Sequence, residues 1–163
     1  FILLLITQSF CVSQMQAQDC VDEGYSQFDF WVGNWEIYKP GTDTMLGRNN
    51  IKKISGGCAL LENWTGRSGF KGQSINTYHP KSDIWRQRWV DQTGQVIDFE
   101  GKGGENSMEL HALTVSSSDS LFHRMSYHYF PDRDEVIQVW EQRKSKSNKK
   151  WLTVFKGLYK RAE

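Results

Sequence analysis

Strand-length segments recur along the whole chain, and each is followed by a short stretch rich in Gly, Pro, Asn, Asp or Ser. Apolar and polar residues tend to alternate within the segments, which is the period of two expected for a half-buried strand. No segment has a convincing helical period. About ten strands are predicted in this way, in the segments FDFWVGNWEIYK, LGRNNIKKI, CALLENWTG, FKGQSINTY, IWRQRWVD, QVIDFEG, SMELHALTV, SLFHRMSYHYF, EVIQVWEQR and WLTVFKGLYKR.

The turn stretches between these segments have the length of hairpin loops, so each strand is expected to pair with the next one along the chain. Strands joined in series close most simply as an up-and-down barrel, because closure removes the exposed edges of the sheet. We therefore predict an all-β, antiparallel, lipocalin-like barrel over residues 19–163, as a single domain, with a β-sandwich as the alternative. A barrel of about eight to ten strands can hold one small ligand.

The alternation also predicts which side chains face the interior. Trp85, Gln87 and Trp89 alternate with arginines, and an arginine cannot be buried without a partner. The same reasoning turns Gln138 and Trp140 inward in the ninth segment. These five residues predict an aromatic interior with a few amides, suited to a ligand with an apolar body and polar edges. A filled core in which the amides satisfy each other remains the alternative.

Composition and charge change this picture only in part. The chain has seven Trp, nine Phe and six Tyr, which favours strands around a thick aromatic core or an aromatic cavity. A net charge of +1 argues against a nucleic-acid partner. The stretch from Arg143 to Arg161 nevertheless holds eight Lys or Arg and no acid, which indicates a solvated final hairpin or a surface that docks to an acidic protein.

The first residues predict the location of the protein. FILLLITQSFCV is an apolar run with the length of a secretory h-region, too short to span a membrane, so residues 1–18 are read as an export signal. We expect a secreted or periplasmic protein with no membrane insertion after removal of the signal. An oxidising compartment would let Cys20 and Cys58 form a disulfide, although free thiols at both positions remain the alternative.

The first segment and four later ones carry a family resemblance. FDFWVGNWEIY, SGGCALLENWTG, WRQRWVD, VWEQ and the terminal GLYKR resemble a family of small bacterial proteins of unknown function that begin Phe-Asp-Phe-Trp-x-Gly-x-Trp. The likeness covers about residues 26 to 161. Gly33-x-Trp35 also resembles the Gly-x-Trp signature of the calycin barrels. That resemblance implies a barrel in which Trp35 packs across the base beneath Arg161, and it implies no activity.

Cofactor chemistry finds little support in the sequence. The haem-binding nitrobindin barrels are similar in strand count and in a Gly-x-Trp start, but GNWEIYKP lacks the additional glycines of their motif. The four histidines, His79, His111, His123 and His128, have no zinc-ligand spacing. We therefore predict no metal and no cofactor, with haem disfavoured.

Three functions remain open at this point. The leading hypothesis is a barrel that binds a small molecule in its interior. An enzyme is the first alternative, with Glu62 as the candidate acid, because Glu62 shares a strand face with Leu60 and Trp64 and a buried, unpaired carboxylate has the raised pKa that suits a general base. A structural ion pair between Glu62 and an arginine is the other explanation for an inward acid. A protein-binding module acting through the basic final hairpin is the second alternative. The sequence leaves the oligomeric state open.

Overall fold

The protein is a closed barrel of ten antiparallel strands in a computed structural model that describes residues 20–115, 117, 119–145 and 150–163. Each strand pairs with its neighbours in the chain, and the first pairs with the last, so the predicted all-β up-and-down barrel is confirmed. The strands are β1 Gly33–Tyr38, β2 Met45–Ile54, β3 Ala59–Gly66, β4 Lys71–His79, β5 Ile84–Asp91, β6 Val96–Gly104, β7 Ser107–Val115, β8 Ser120–Phe130, β9 Glu135–Lys144 and β10 Leu152–Arg161.

The start of the first predicted strand is wrong. FDFWV precedes β1, and Asp29–Trp31 form a short 3-10 helix. A strand would turn Phe28 and Trp31 to opposite faces, since they are three residues apart, whereas a 3-10 turn aligns positions i and i+3. The 3-10 conformation buries both rings completely.

These two rings close one end of the barrel, which we call the base. The ring of Phe28 stacks on Trp31 with 4.8 Å between centroids and meets the rings of Trp85 and Tyr127 edge-on at 5.7 and 5.0 Å. The base is therefore filled by the chain's own N-terminal segment, and large buried aromatics of this kind dominate the energy of a core.

A disulfide anchors this segment at the base. Cys20 is bonded to Cys58, which follows the short 3-10 helix Ser55–Gly57 between β2 and β3. The bridge spans 38 residues, and by limiting the unfolded chain a loop of that size contributes about 2–4 kcal/mol. The predicted export signal, residues 1–18, lies outside the described residues. Among the described residues, none of the helical segments has the length and apolar character needed to cross a membrane.

Trp35 lies across the base beneath Arg161, in the arrangement implied by the calycin resemblance. Trp35 is 1% exposed, and the Arg161 guanidinium lies 3.8 Å from the centroid of its ring. The Trp35 indole N–H donates to the Trp31 carbonyl at 2.7 Å, and Arg161 donates to the Val32 carbonyl at 2.6 Å. One cation thus joins the last strand to the N-terminal segment.

The absence of a side chain at Gly33 leaves space for the Arg161 guanidinium. Gly33 has φ +140°, and a Cβ atom built there would overlap the Nη1 atom of Arg161. Asp134 holds the guanidinium from the other side, accepting bonds from Nε at 2.8 Å and Nη2 at 3.0 Å. These bonds lower the pKa of Asp134 below its usual value. The glycine two residues before Trp35 is therefore required on steric grounds.

We predict that Trp35→Ala lowers the free energy of unfolding by roughly 3–5 kcal/mol, as expected for a buried aromatic. Arg161→Ala should cost less, because a cation–π contact contributes about 0.5–2 kcal/mol. The two losses should not add, since the residues share one contact. Urea unfolding of both single variants and the double variant measures this.

Trp151→Ala is the matched control for this cycle. Trp151 packs outside the core beneath Arg124 and Arg143, so its loss should shift the unfolding midpoint far less than Trp35→Ala. An almost wild-type midpoint for Trp35→Ala would contradict a structural role for the base.

Candidate functional site

The end of the barrel opposite the base opens into a cavity of about 910 Å³. The loops 39–44, 67–70 and 92–95 lie at this end, which we call the mouth. Five aromatic rings from five different strands line the wall, and they belong to Trp64, Trp89, Phe99, Trp140 and Phe155. The floor is polar, with Glu62, Gln87, Gln138 and the hydroxyl-bearing rings of Tyr127 and Tyr159.

Four of the five predicted ligand-binding residues line this cavity. Gln87 and Trp89 reach it from β5, and Gln138 and Trp140 reach it from β9. Trp89 lies over Gly72 of the neighbouring strand, where any Cβ would overlap the indole. The absence of a side chain at that glycine therefore lets the ring lie flat on the wall.

Trp85 is the exception, and its predicted place in the ligand-binding wall is corrected. It faces inward as expected but lies below the cavity floor, 2% exposed, with its indole N–H donating to Gln27 Oε1 at 3.1 Å. Its ring packs on Phe28 and Tyr78. Alternation predicts which face of the strand a residue occupies, but not its position along the barrel axis. At the position of Trp85, the interior is filled by the N-terminal segment.

Glu62 is a buried carboxylate at the cavity floor. It lies on β3 and is 4% exposed. Asn49 donates to its Oε1 atom at 2.7 Å, and Ser74 donates to its Oε2 atom at 2.6 Å. Ser74 in turn accepts from Asn76 at 2.9 Å and from Gln87 at 3.3 Å. Neutral donors from the two neighbouring strands, β2 and β4, thus orient the carboxylate.

A second set of hydrogen bonds crosses the floor from β10 to β8. The Tyr159 hydroxyl donates to Gln138 Oε1 at 2.5 Å, and the Gln138 amide donates to the Tyr127 hydroxyl at 3.1 Å. The Tyr127 hydroxyl donates to the Met125 sulfur at 2.8 Å. Asn49 lies within 3.5 Å of the Tyr159 hydroxyl and so links this chain to Glu62. The floor is therefore one connected polar network.

Burial changes the ionisation of the floor. It raises the pKa of Glu62 to about 7, against a reference value of 4.5, and the bonds from Ser74 and Asn49 lower it only in part. Burial and the nearby Glu62 charge also raise the pKa of Tyr127 and Tyr159 well above the usual value for a phenol. At neutral pH the tyrosines are protonated, while Glu62 is divided between its two forms.

His123 is buried behind this wall and has no free ring nitrogen. Its Nε2 atom is 2.9 Å from the Thr114 hydroxyl, and its Nδ1 atom accepts from the Trp140 indole at 3.3 Å. The accepting Nδ1 places the proton on Nε2, and burial lowers the pKa of the imidazole. His123 therefore orients Trp140. In the part of the chain that the structure describes, no three His, Cys, Asp or Glu side chains are grouped as a metal site would require.

The other three histidines lie outside this cavity. His79, His111 and His128 are exposed. The basic final hairpin is described except for residues 146–149, and its Arg143 lies over the rings of Phe122 and Trp151 at 4.8 and 5.3 Å. These contacts fold part of the basic stretch onto the barrel.

β6 and β7 pair over only part of their length. The two strands pair from Glu100 with His111 to Gly104 with Ser107, although β6 begins at Val96 and β7 extends to Val115. A depression of about 670 Å³ lies over the unpaired part, and it shares Gln87 and Phe99 with the main cavity.

Several floor residues were not predicted from the sequence. They are Asn49, Ser74, Asn76, Tyr127 and Tyr159, all buried. The alternation in FKGQSINTY could have predicted that two of them face inward. Ser74 and Asn76 lie on one face of that segment, and Lys71 and Gln73 lie on the other. Two polar residues on the face opposite a lysine indicate a polar interior. The hydrogen bonds to Glu62 could not be predicted, because they depend on the register of three strands.

Comparison with protein-family models gave no match, and comparison with curated protein sequences gave none.

We predict that Glu62→Gln changes how stability depends on pH. Between pH 4.5 and about 7 the unfolded chain loses the Glu62 proton while the folded protein keeps it, so this group makes stability fall as pH rises. The free energy of unfolding of wild type relative to Glu62→Gln should therefore fall by roughly 2–3 kcal/mol between pH 5 and 8.

Urea unfolding across that range measures the difference. Glu100→Gln is the matched control, since Glu100 lies on the outer face and its side chain is 64% exposed. Its profile should run parallel to wild type. A Glu62→Gln profile parallel to wild type as well would contradict the raised pKa.

Proposed function

We propose that the protein is exported and binds a small, partly apolar molecule inside the barrel. The observation that carries this proposal is the cavity of about 910 Å³, closed at the base and open at the mouth. Ligand sites are typically concave, apolar and equipped with a few convergent polar groups, and the aromatic wall over a polar floor has this character. The disulfide between Cys20 and Cys58 agrees with an oxidising compartment.

The positions of the polar groups along the cavity indicate how a ligand would be oriented. Glu62, Gln87 and Gln138 lie at the inner end of the cavity, whereas the apolar side chains of Met45, Leu46 and other residues line it nearer the mouth. A ligand would therefore enter with its polar end first and leave its apolar body against the rings. The hydrogen-bonded floor is already in place, which reduces the entropic cost of binding.

Nile red, a neutral apolar fluorophore, tests the proposal. We expect one molecule to bind per chain with enhanced fluorescence, and Trp89→Ala to weaken the affinity about tenfold, which corresponds to about 1.4 kcal/mol. Trp151→Ala removes the same side chain from outside the cavity and should leave the affinity unchanged. Equal affinities for the two variants, each first shown to be folded, would place the dye elsewhere and contradict the proposal.

A second candidate function is an enzyme that uses Glu62 as a general base. The observation in its favour is the raised pKa of about 7 at the end of a substrate-sized cavity, since a base works best near the operating pH. The bonds from Asn49 and Ser74 would hold the carboxylate in position during proton transfer.

5-Nitrobenzisoxazole gives a direct assay for such a base. A base removes the proton on ring carbon 3, and the electrons of that C–H bond complete a nitrile group. The N–O bond breaks at the same time, and its electrons leave on the phenolate oxygen. The expected rate above buffer rises with pH through about 7 and is lost in Glu62→Gln. A rate that Glu62→Gln leaves unchanged would exclude this role for Glu62.

A further inference from the structure

The chemistry of the cavity floor narrows the class of ligand. We propose that the molecule bound in the barrel carries a protonated amine, which pairs with the Glu62 carboxylate while its apolar body lies against the aromatic wall. This inference rests on the proposed binding function and adds the ligand class to it.

The first support is that Glu62 lacks a cationic partner within the described chain. Its oxygens accept from Asn49 and Ser74, which are both neutral, and every ion pair among the described residues joins other groups. A buried carboxylate without an opposite charge is costly, and the attraction of a ligand cation would offset part of that cost.

The second support comes from the groups that face Glu62. Tyr127 and Tyr159 are the titratable neighbours on the floor, and both stay neutral because their pKa values are raised. His123 lies behind Trp140, with its pKa lowered. A carboxylate or phosphate ligand would meet no cation at this floor and would face the Glu62 charge. The floor therefore discriminates against anions.

The third support is the wall. The rings of Trp64, Trp89, Phe99, Trp140 and Phe155 surround the approach to the floor. Aromatic faces attract a cation through the ring quadrupole, and several such faces around one acid form a setting that favours an amine over a neutral group of the same shape. Arg67 is the basic residue among the cavity-lining groups, and it is exposed at the mouth, where solvent and salt screen its charge.

The pairing also couples binding to a proton. Glu62 has a pKa of about 7, and an aliphatic amine stays protonated well above that pH. Binding of the cation favours the ionised carboxylate, so about half a proton should be released at pH 7 for each amine bound. The amine affinity should rise about tenfold between pH 6 and pH 8, following the ionised fraction of Glu62.

Three probes that share one body separate the possibilities: 4-phenylbutylamine, 4-phenylbutanol and 4-phenylbutyrate. Calorimetry on the whole protein, in two buffers of different ionisation enthalpy, measures the affinity and the proton release. We expect the amine to bind at least tenfold more tightly than the alcohol and the acid. In Glu62→Gln both this preference and the proton release should disappear, whereas Glu100→Gln should retain both.

The possible results distinguish failure of the amine proposal from failure of the binding function. Equal affinities for the three probes, a preference for the amine that survives in Glu62→Gln, or no binding of the amine would each overturn the proposed ligand class. If Nile red still binds in a manner sensitive to Trp89→Ala, the binding function stands and only the amine is rejected. If neither Nile red nor any of the three probes binds, both proposals fail.

Discussion

The rest of the structure depends on how the base of the barrel is closed. The Arg161 guanidinium lies over Trp35, donates to the Val32 carbonyl and is held by Asp134, so the last strand, the first strand and the N-terminal segment meet at one charge. Without the buried rings of Phe28 and Trp31 the barrel would be open at both ends. Because the base is closed, the cavity opens at the mouth end of the barrel.

This closure also determines the chemistry of the floor. Water cannot approach Glu62 from below, so burial outweighs two good hydrogen bonds in setting its pKa. Hydrogen bonds join the polar groups of the floor across β2, β3, β4, β8, β9 and β10, although the buried amide oxygens of Asn49 and Asn76 accept none from the residues that the structure describes. These hydrogen bonds orient the Glu62 carboxylate without supplying a positive charge, so a cationic ligand could still compensate its charge.

Local sequence explains most of the strand pattern. In the described chain, β5, β7 and β8 coincide with the segments IWRQRWVD, SMELHALTV and SLFHRMSYHYF, because each is a strand-length run that is bounded by turn residues. The inward faces of Gln87, Trp89, Gln138 and Trp140 follow from the same alternation. Phe28 and Trp31 could not be placed in this way, because four consecutive residues with three aromatics suit a strand and a 3-10 turn equally well.

The sequence by itself determined the strand order, the inward residues and the aromatic character of the interior, since a period of two and hairpin-length loops are local properties. Only the tertiary structure decided the height of each residue in the barrel, and with it the separation of Trp85 in the base from Trp89 in the cavity. Only it brought Asn49 and Ser74 to Glu62, because that contact needs the register of three strands at once. The pKa of Glu62 near 7 likewise depends on the folded structure, because burial raises it more than the neutral donors lower it.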